Sequence, residues 1–555
     1  REEGLLALYR EDSGEAIGIL AERYLQSPSE TRRRALVEVS SDQGDRLTTQ
    51  QPMRALGHYL DAARLSEKGA IASIGQEGEP FDQTAYNYSA ARVARIIREH
   101  TGSTRTVGVA PGAVWQWRLT LAEGKEMVDP RHYDILAPAS WLKMKGVKWE
   151  SSKQDGLGAA MVGYRKTTEA VAKLDPLAPE SGRATPLNAS FRFSGQNATF
   201  KLHNLMTKST ATVAGREVSL AGDFSSALAF IYYEQTGGVS KLEAMLRPGD
   251  FEDKIRMYSV EPFRPDKTPL VLVHGLMSTA EGWMPFLNEL LSEPVVRENY
   301  QIVLFNYPTG NNIARNAADL RDGLRRFRNH YDPKRKNPKM RNMVILGHSM
   351  GGVISNMQIR NSGNHLYDSI FTKDLESLGL AETEKSEMRR QIFYRANPDI
   401  DRAILMAAPF RGSEFASSRI GSFGAWLIRM PFNVVDAMLG NSEVVSALTE
   451  VGQQASLRPI NSVSSLRPDN PTLHDILKSP PRKGVTIHTI IAQTDPKDLL
   501  LESSDGVVPY TSAHLDEAHS EKIILDADHR SMVTHPETME EVYRTLYLHL
   551  GKKRD

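Results

Sequence analysis

The chain has no cysteine among its 555 residues, which excludes disulfides, thiolate metal sites and thiol redox chemistry. It also lacks a charge surplus, since 68 Lys and Arg offset 68 Asp and Glu. With a formal net charge of +0 and a sequence pI near 7.4, no global field draws it to nucleic acid or to an anionic membrane. Nucleic-acid binding is not expected. No uninterrupted apolar run reaches the ~18 to 20 residues that a membrane-spanning helix needs, and no repeat of fixed period stands out. The lack of cysteine is compatible with a bacterial cell envelope or secreted location and equally with a cytosolic one. What is present is ample apolar material, 40% hydrophobic residues, enough for two or three domains with buried cores.

The most informative segment is Gly347-His348-Ser349-Met350-Gly351. It follows Met343-Val344-Ile345-Leu346, a short, apolar, β-branched run of the kind buried on both faces in a central parallel strand. A strand that turns sharply into a helix over small residues leaves one serine hydroxyl exposed, and this is the pattern of a nucleophile elbow. Further apolar runs repeat the theme: Pro269 to Val273, Ile302 to Phe305, Ala403 to Met406, Val485 to Ile491 and Lys522 to Leu525. Helix-like stretches separate them, so an α/β fold with a mainly parallel, doubly wound sheet is expected.

A serine hydroxyl needs a base, and the base needs a carboxylate to fix its tautomer. Both are expected downstream in the order Ser, Asp, His. Ser504-Asp505-Gly506-Val507-Val508-Pro509 follows the Val485 run, and Asp526-Ala527-Asp528-His529 follows the Lys522 run. Each candidate lies just beyond a strand, where open α/β sheets place their sites. Ser349, Asp505 and His529 are therefore the candidate triad, with Asp495 and His535 as understudies. Asp495 precedes Pro496, which biases it toward an extended conformation, and His535-Pro536 reads as the start of the final helix. The amides of Leu276, after the Pro269 strand, and of Met350, after the serine, are the candidate oxyanion donors.

These pieces, with Tyr307-Pro308 and Ala408-Pro409-Phe410-Arg411-Gly412-Ser413, resemble the α/β-hydrolase superfamily and within it the lipase and esterase branch. The resemblance covers roughly residues 262 to 550. It implies a serine hydrolase acting on carboxylic esters through an acyl-enzyme, with no metal or organic cofactor, on a small-molecule or lipid-like ester. Related lipases often carry His where Phe410 stands, a departure that bears on subfamily and leaves the triad untouched. Acyl transfer, amide cleavage and thioester cleavage use the same triad, and a scaffold with an idle site is the reading from another class.

The remaining organisation is expected as a helical region over 1–105, a β-rich accessory domain over 106–240, a linker over 241–262 and a catalytic domain over 263–555. Ile17, Leu20 and Tyr24, then Leu56, Tyr59, Leu60 and Ala63, then Val93, Ile96 and Ile97 recur at helical spacing. Leu187, Ala189, Phe191 and Phe193 alternate as in a strand, with a turn at Gly195-Gln196-Asn197, and predict a sandwich-like domain. Trp115, Trp117, Trp141 and Trp149 fall there and read as core, with a sugar-binding aromatic face as the alternative. Insertions at about 361–400 and 413–484 interrupt the catalytic domain. The second holds an apolar stretch from Phe423 to Leu439, in which Trp426 and Phe432 are expected to line an acyl pocket under a cap. Seven basic residues between Arg325 and Lys339 read as a solvated face, with contact to anionic headgroups as the minority reading.

Overall fold

A computed structural model of the chain describes residues 4–76, 78, 80–124, 126–142, 149–213, 215–235, 255–276, 278–413, 442–450, 466–468 and 471–554. The chain divides into two compact units: residues 1–168 with 180–235, and residues 169–179 with 236–555.

In the first unit, a short helix (Leu6–Glu11) and four longer ones, α1 (Ser13–Gln26), α2 (Glu30–Leu47), α3 (Pro52–Ala72) and α4 (Phe81–His100), precede a six-stranded sheet. Their starts follow local chemistry: Asp12 and Ser29 accept the amides of Glu15 and Arg32, and Pro52 opens α3. The strands are β1 (Thr106–Pro111), β2 (Gln116–Leu121), β3 (Ile135–Pro138), β4 (Ala159–Arg165), β5 (Arg183–Ser194) and β6 (Asn197–Asn204), in the order β1-β2-β6-β5-β4-β3. The expected hairpin pairs Ser194 with Asn197 around Gly195, whose φ of 56° suits glycine.

The helical and β-rich regions are not separate domains, and the sheet is not half of a sandwich. Leu56, Tyr59 and Leu60 of α3 and Val93, Ile96 and Ile97 of α4 share one core with Trp117, Leu187, Phe191 and Phe200 of the sheet. Each apolar stripe needed a partner, and the helices supply the second layer that a sandwich would have drawn from another sheet. At the centre, the Asp61 carboxylate accepts the amides of Ala113 (2.6 Å) and Val114 (2.8 Å) and Nε1–H of Trp117 (2.9 Å). Trp117 is thus a core residue, whereas Trp141 is exposed and lies under the guanidinium groups of Arg92 and Arg95.

The second unit is built on a seven-stranded sheet of β7 (Arg256–Ser259), β8 (Thr268–Val273), β9 (Tyr300–Asn306), β10 (Met343–His348), β11 (Ile400–Met406), β12 (Thr486–Gln493) and β13 (Ser520–Leu525), ordered β7-β9-β8-β10-β11-β12-β13. Only β7 is antiparallel. This is the α/β-hydrolase fold. Every residue of β8 is buried, as a strand covered on both faces requires. The core joins Val271, Val303, Ile345 and Leu405 to Leu320, Leu324 and Phe327 of α5 (Ile313–Tyr331) and to Val353 of α6 (Met350–Asn356).

Two boundaries move. Residues 256–259 are an edge strand of this sheet, so the part of the expected linker that is described belongs to the catalytic unit. Residues 169–179 also belong here: Leu177 is buried in the core, its carbonyl accepts the Ser259 amide at 2.9 Å, and Tyr331 donates to Asp175. The insertion at 361–400 packs Tyr367, Phe371, Leu378 and Met388 against Val444, Ala447 and Leu448 as a satellite cluster. Within the basic segment, Arg328 and Arg335 both face Asp399. Among the described residues no helix is long and apolar enough to cross a membrane.

Candidate active site

Strand β10 ends at His348, and α6 begins at Met350. Ser349 between them has φ 56° and ψ −127°, a conformation that costs an L-residue on the order of 1 to 3 kcal/mol and persists only where its surroundings enforce it. Its amide donates to the Met406 carbonyl of the neighbouring strand at 2.9 Å. Crowding explains the glycines. A Cβ on Gly347 would lie 2.3 Å from the Gly351 oxygen, and one on Gly351 would lie 2.2 Å from the Val273 oxygen.

Asp505 follows β12 and is 1% exposed. One carboxylate oxygen accepts the amides of Val507 (2.9 Å) and Val508 (2.6 Å), and the other accepts Nδ1–H of His529 at 2.6 Å. The turn that presents it is held further by the Ser413 hydroxyl, which donates to the Val507 carbonyl. His529 lies on the loop after β13, and its amide donates to the Asp505 carbonyl at 2.9 Å. With Nδ1 protonated, Nε2 is free to accept, and the Ser349 hydroxyl donates to it at 2.9 Å. The three candidate residues are therefore in one hydrogen-bonded line.

The first turn of α6 and the loop after β8 stand beside the serine. Met350 is the first residue of α6, so its N–H has no acceptor within the helix and faces outward with the positive end of the helix dipole. The loop after β8 is close by, since a Cβ on Gly275 would come within 2.9 Å of the Ser349 Cβ. Tyr307 fixes this loop. Its hydroxyl donates to the His274 carbonyl, its ring stacks on His274 at 4.2 Å, and burial holds its pKa well above the usual tyrosine value, so it stays a donor. Leu276 lies on the same loop, half-buried against the core.

The understudies lie apart from this line. Asp495 is exposed and accepts the amide of Lys497 in its own loop. His535 caps the final helix, α7 (Pro536–His549), by accepting the Glu537 amide. Trp426 and Phe432 lie outside the described residues. Tyr307 and Ser413 appeared in the sequence only as parts of a motif, and nothing there signals that they hold the loops of His274 and Asp505. His348 carried no signal of its own, because the position before the serine is unconstrained in the motif.

Residues 270–542 match the family model of the alpha/beta hydrolase family. Among solved structures, the chain is similar to a lipase of Bacillus licheniformis in its mature form, at 17% identity over 52% of this chain and 97% of that one, with a TM-score of 0.31. It is similar to the propeptide form of the same lipase at 15% identity over 54% of each chain, with a TM-score of 0.31. EstA of Clostridium botulinum matches at 13% identity over 51% of this chain and 87% of that one, with a TM-score of 0.32. No curated protein matches the chain.

Proposed function

We propose that the second unit is a serine hydrolase that cleaves carboxylic esters, with Ser349 as nucleophile, His529 as base and acid, and Asp505 as the group that orients the imidazole. The observation that carries this is the relay from Ser349 Oγ to His529 Nε2 (2.9 Å) and from His529 Nδ1 to Asp505 (2.6 Å), mounted on the strained turn at Ser349. His529 takes the hydroxyl proton as Oγ attacks the ester carbonyl carbon. The amides of Met350 and Leu276 stabilise the oxygen that becomes negative, and removal of one such donor typically costs ~10²- to 10³-fold in rate. His529 then gives its proton to the departing alcohol, leaving an acyl group on Ser349. Water enters, loses a proton to His529 and releases the acid. Asp505 keeps Nδ1 protonated throughout and stabilises the imidazolium while it exists.

An ester with an apolar acyl or alkyl part suits the apolar composition of residues 423–439, which include Trp426 and Phe432. A fluorophosphonate should label the protein at Ser349, and short p-nitrophenyl esters should turn over without added metal. Ser349→Ala should abolish both and leave the thermal midpoint within roughly a few degrees, because removing a single hydroxyl takes little packing from the core. Label on another residue, or unchanged turnover in the alanine variant, would overturn the proposal.

A further inference from the structure

His348 is the last residue of β10 and immediately precedes Ser349. Its side chain turns toward the loop that follows β13. Its Nε2 lies 2.9 Å from the main-chain carbonyl oxygen of His529, and the two rings are 4.8 Å apart at 41°. A carbonyl oxygen can only accept, so Nε2 carries the proton and donates. Burial first, then the neighbouring His529, pushes the His348 pKa down to about 3, so this ring stays neutral at the pH where His529 has to cycle between neutral and charged. It is a fixed donor and takes no part in proton transfer.

The contact completes the restraint on His529. Its amide is held by the Asp505 carbonyl, Nδ1 by the Asp505 carboxylate and Nε2 by the Ser349 hydroxyl. Those bonds leave the carbonyl, and His348 takes it. The rest of the loop is tied to itself and to β12: the Asp528 carboxylate accepts the amides of Arg530 and Ser531, and the Ala527 amide donates to Gln493. The bond from His348 thus links the His529 main chain to the strand that carries the nucleophile. The same ring lies beside the loop of the oxyanion donors, with Nδ1 3.4 Å from where a Cβ on Gly275 would be.

We propose that His348 is a positioning residue: by donating from Nε2 to the His529 carbonyl it sets the spacing between His529 Nε2 and Ser349 Oγ through the catalytic cycle. The inference rests on the ester-hydrolase reading of Ser349, His529 and Asp505. A misplacement of about 1 Å at a reacting pair can cost on the order of 10²-fold in rate, so the role is measurable.

The test compares His348→Ala, His348→Phe and His348→Gln in the full chain, with circular dichroism and thermal midpoint as folding controls. Expected is a fall in kcat of roughly 10- to 100-fold for Ala and Phe, with KM within about twofold, because ground-state binding does not use this bond. The second-order rate of fluorophosphonate labelling should fall in parallel. Gln keeps a side-chain N–H donor and should recover most of the loss, whereas Phe keeps the ring shape without a donor and should not. Equal activity of Gln and Phe, or wild-type kcat in a folded Ala or Phe variant, would overturn the positioning role. Wild-type protein that fluorophosphonate does not label would instead overturn the hydrolase reading itself, so the two failures are distinct.

Discussion

Two buried carboxylates, one in each unit, are bound in nearly the same way. Asp61 and Asp505 are 0% and 1% exposed. In each, one oxygen takes two successive main-chain amides, those of Ala113 and Val114 or those of Val507 and Val508, and the other takes a ring N–H, from Trp117 or from His529. What differs is the far side of the ring. Indole has a single nitrogen, so the chain of hydrogen bonds ends at Trp117 and Asp61 only fastens α3 to the turn before β2. Imidazole has a second nitrogen, and through it the line of hydrogen bonds runs on to Ser349. The carboxylate site is common to both, and the ring it holds separates a fastening from a relay.

The comparison predicts its own sharpest break in activity. Asp505→Asn should lower kcat on the order of 10⁴-fold, as expected when the imidazole is left in the wrong tautomer. Asp61→Asn should leave kcat of the folded protein within about twofold, since removing a remote structural group spares the transition state. A large kinetic loss at Asp61 with intact circular dichroism would end the distinction.

Stability should show the reverse order. Asp61→Ala leaves the Ala113 and Val114 amides and the buried Trp117 N–H without their acceptor and should cost the first unit on the order of 3 kcal/mol, measured by denaturant unfolding. pH should reveal the same group. Burial raises the Asp61 pKa from 3.8 to about 7, against the opposing pull of the hydrogen bonds it accepts. A raised folded-state pKa means that the native protein holds this proton more tightly than the unfolded chain does. Its contribution is therefore fully present below about 3.8 and is lost as the pH rises through about 7. Asp61→Asn should flatten this part of the profile, and an unchanged slope in that variant would place the titration elsewhere.

The smallest effects belong to the understudies. Asp495→Asn and His535→Ala should each change kcat by less than about tenfold, because neither reaches the relay. His535→Ala should cost about 1 kcal/mol of stability through the lost helix cap. A loss at either position that rivals Asp505→Asn would redraw the site.

The site was far more legible in the sequence than the first unit was. Ser349 and His529 stand close after an apolar run and Asp505 in the loop that follows one, and strand ends in a parallel sheet converge in space, so order along the chain carried the geometry. The strands themselves were readable because β8 is buried throughout and β10 from Met343 to Gly347, and their buried parts read as mainly apolar runs. In the first unit the stripes of α3, α4 and β5 were visible, but a stripe does not say which other stripe covers it. That choice is made by long-range packing, and Trp117 against Asp61, or Tyr86 against Phe191, leaves no trace in spacing. The segment around Leu177 failed for a related reason: the stretch from Glu169 to Pro179 is short, and nothing in it says which sheet will cover Leu177.

That segment has a consequence for how the protein is made. Asp175 leaves the ribosome 156 residues ahead of its partner Tyr331, so residues 169–179 emerge long before the sheet that will receive them exists. The first unit can close around its own core as soon as β6 and the helix Phe224–Gln235 are available, extruding this stretch as a loop, and the stretch then waits for β7 and α5 to be synthesised. A gene cut between residues 235 and 255 would separate the seven-stranded sheet from a piece of its own core.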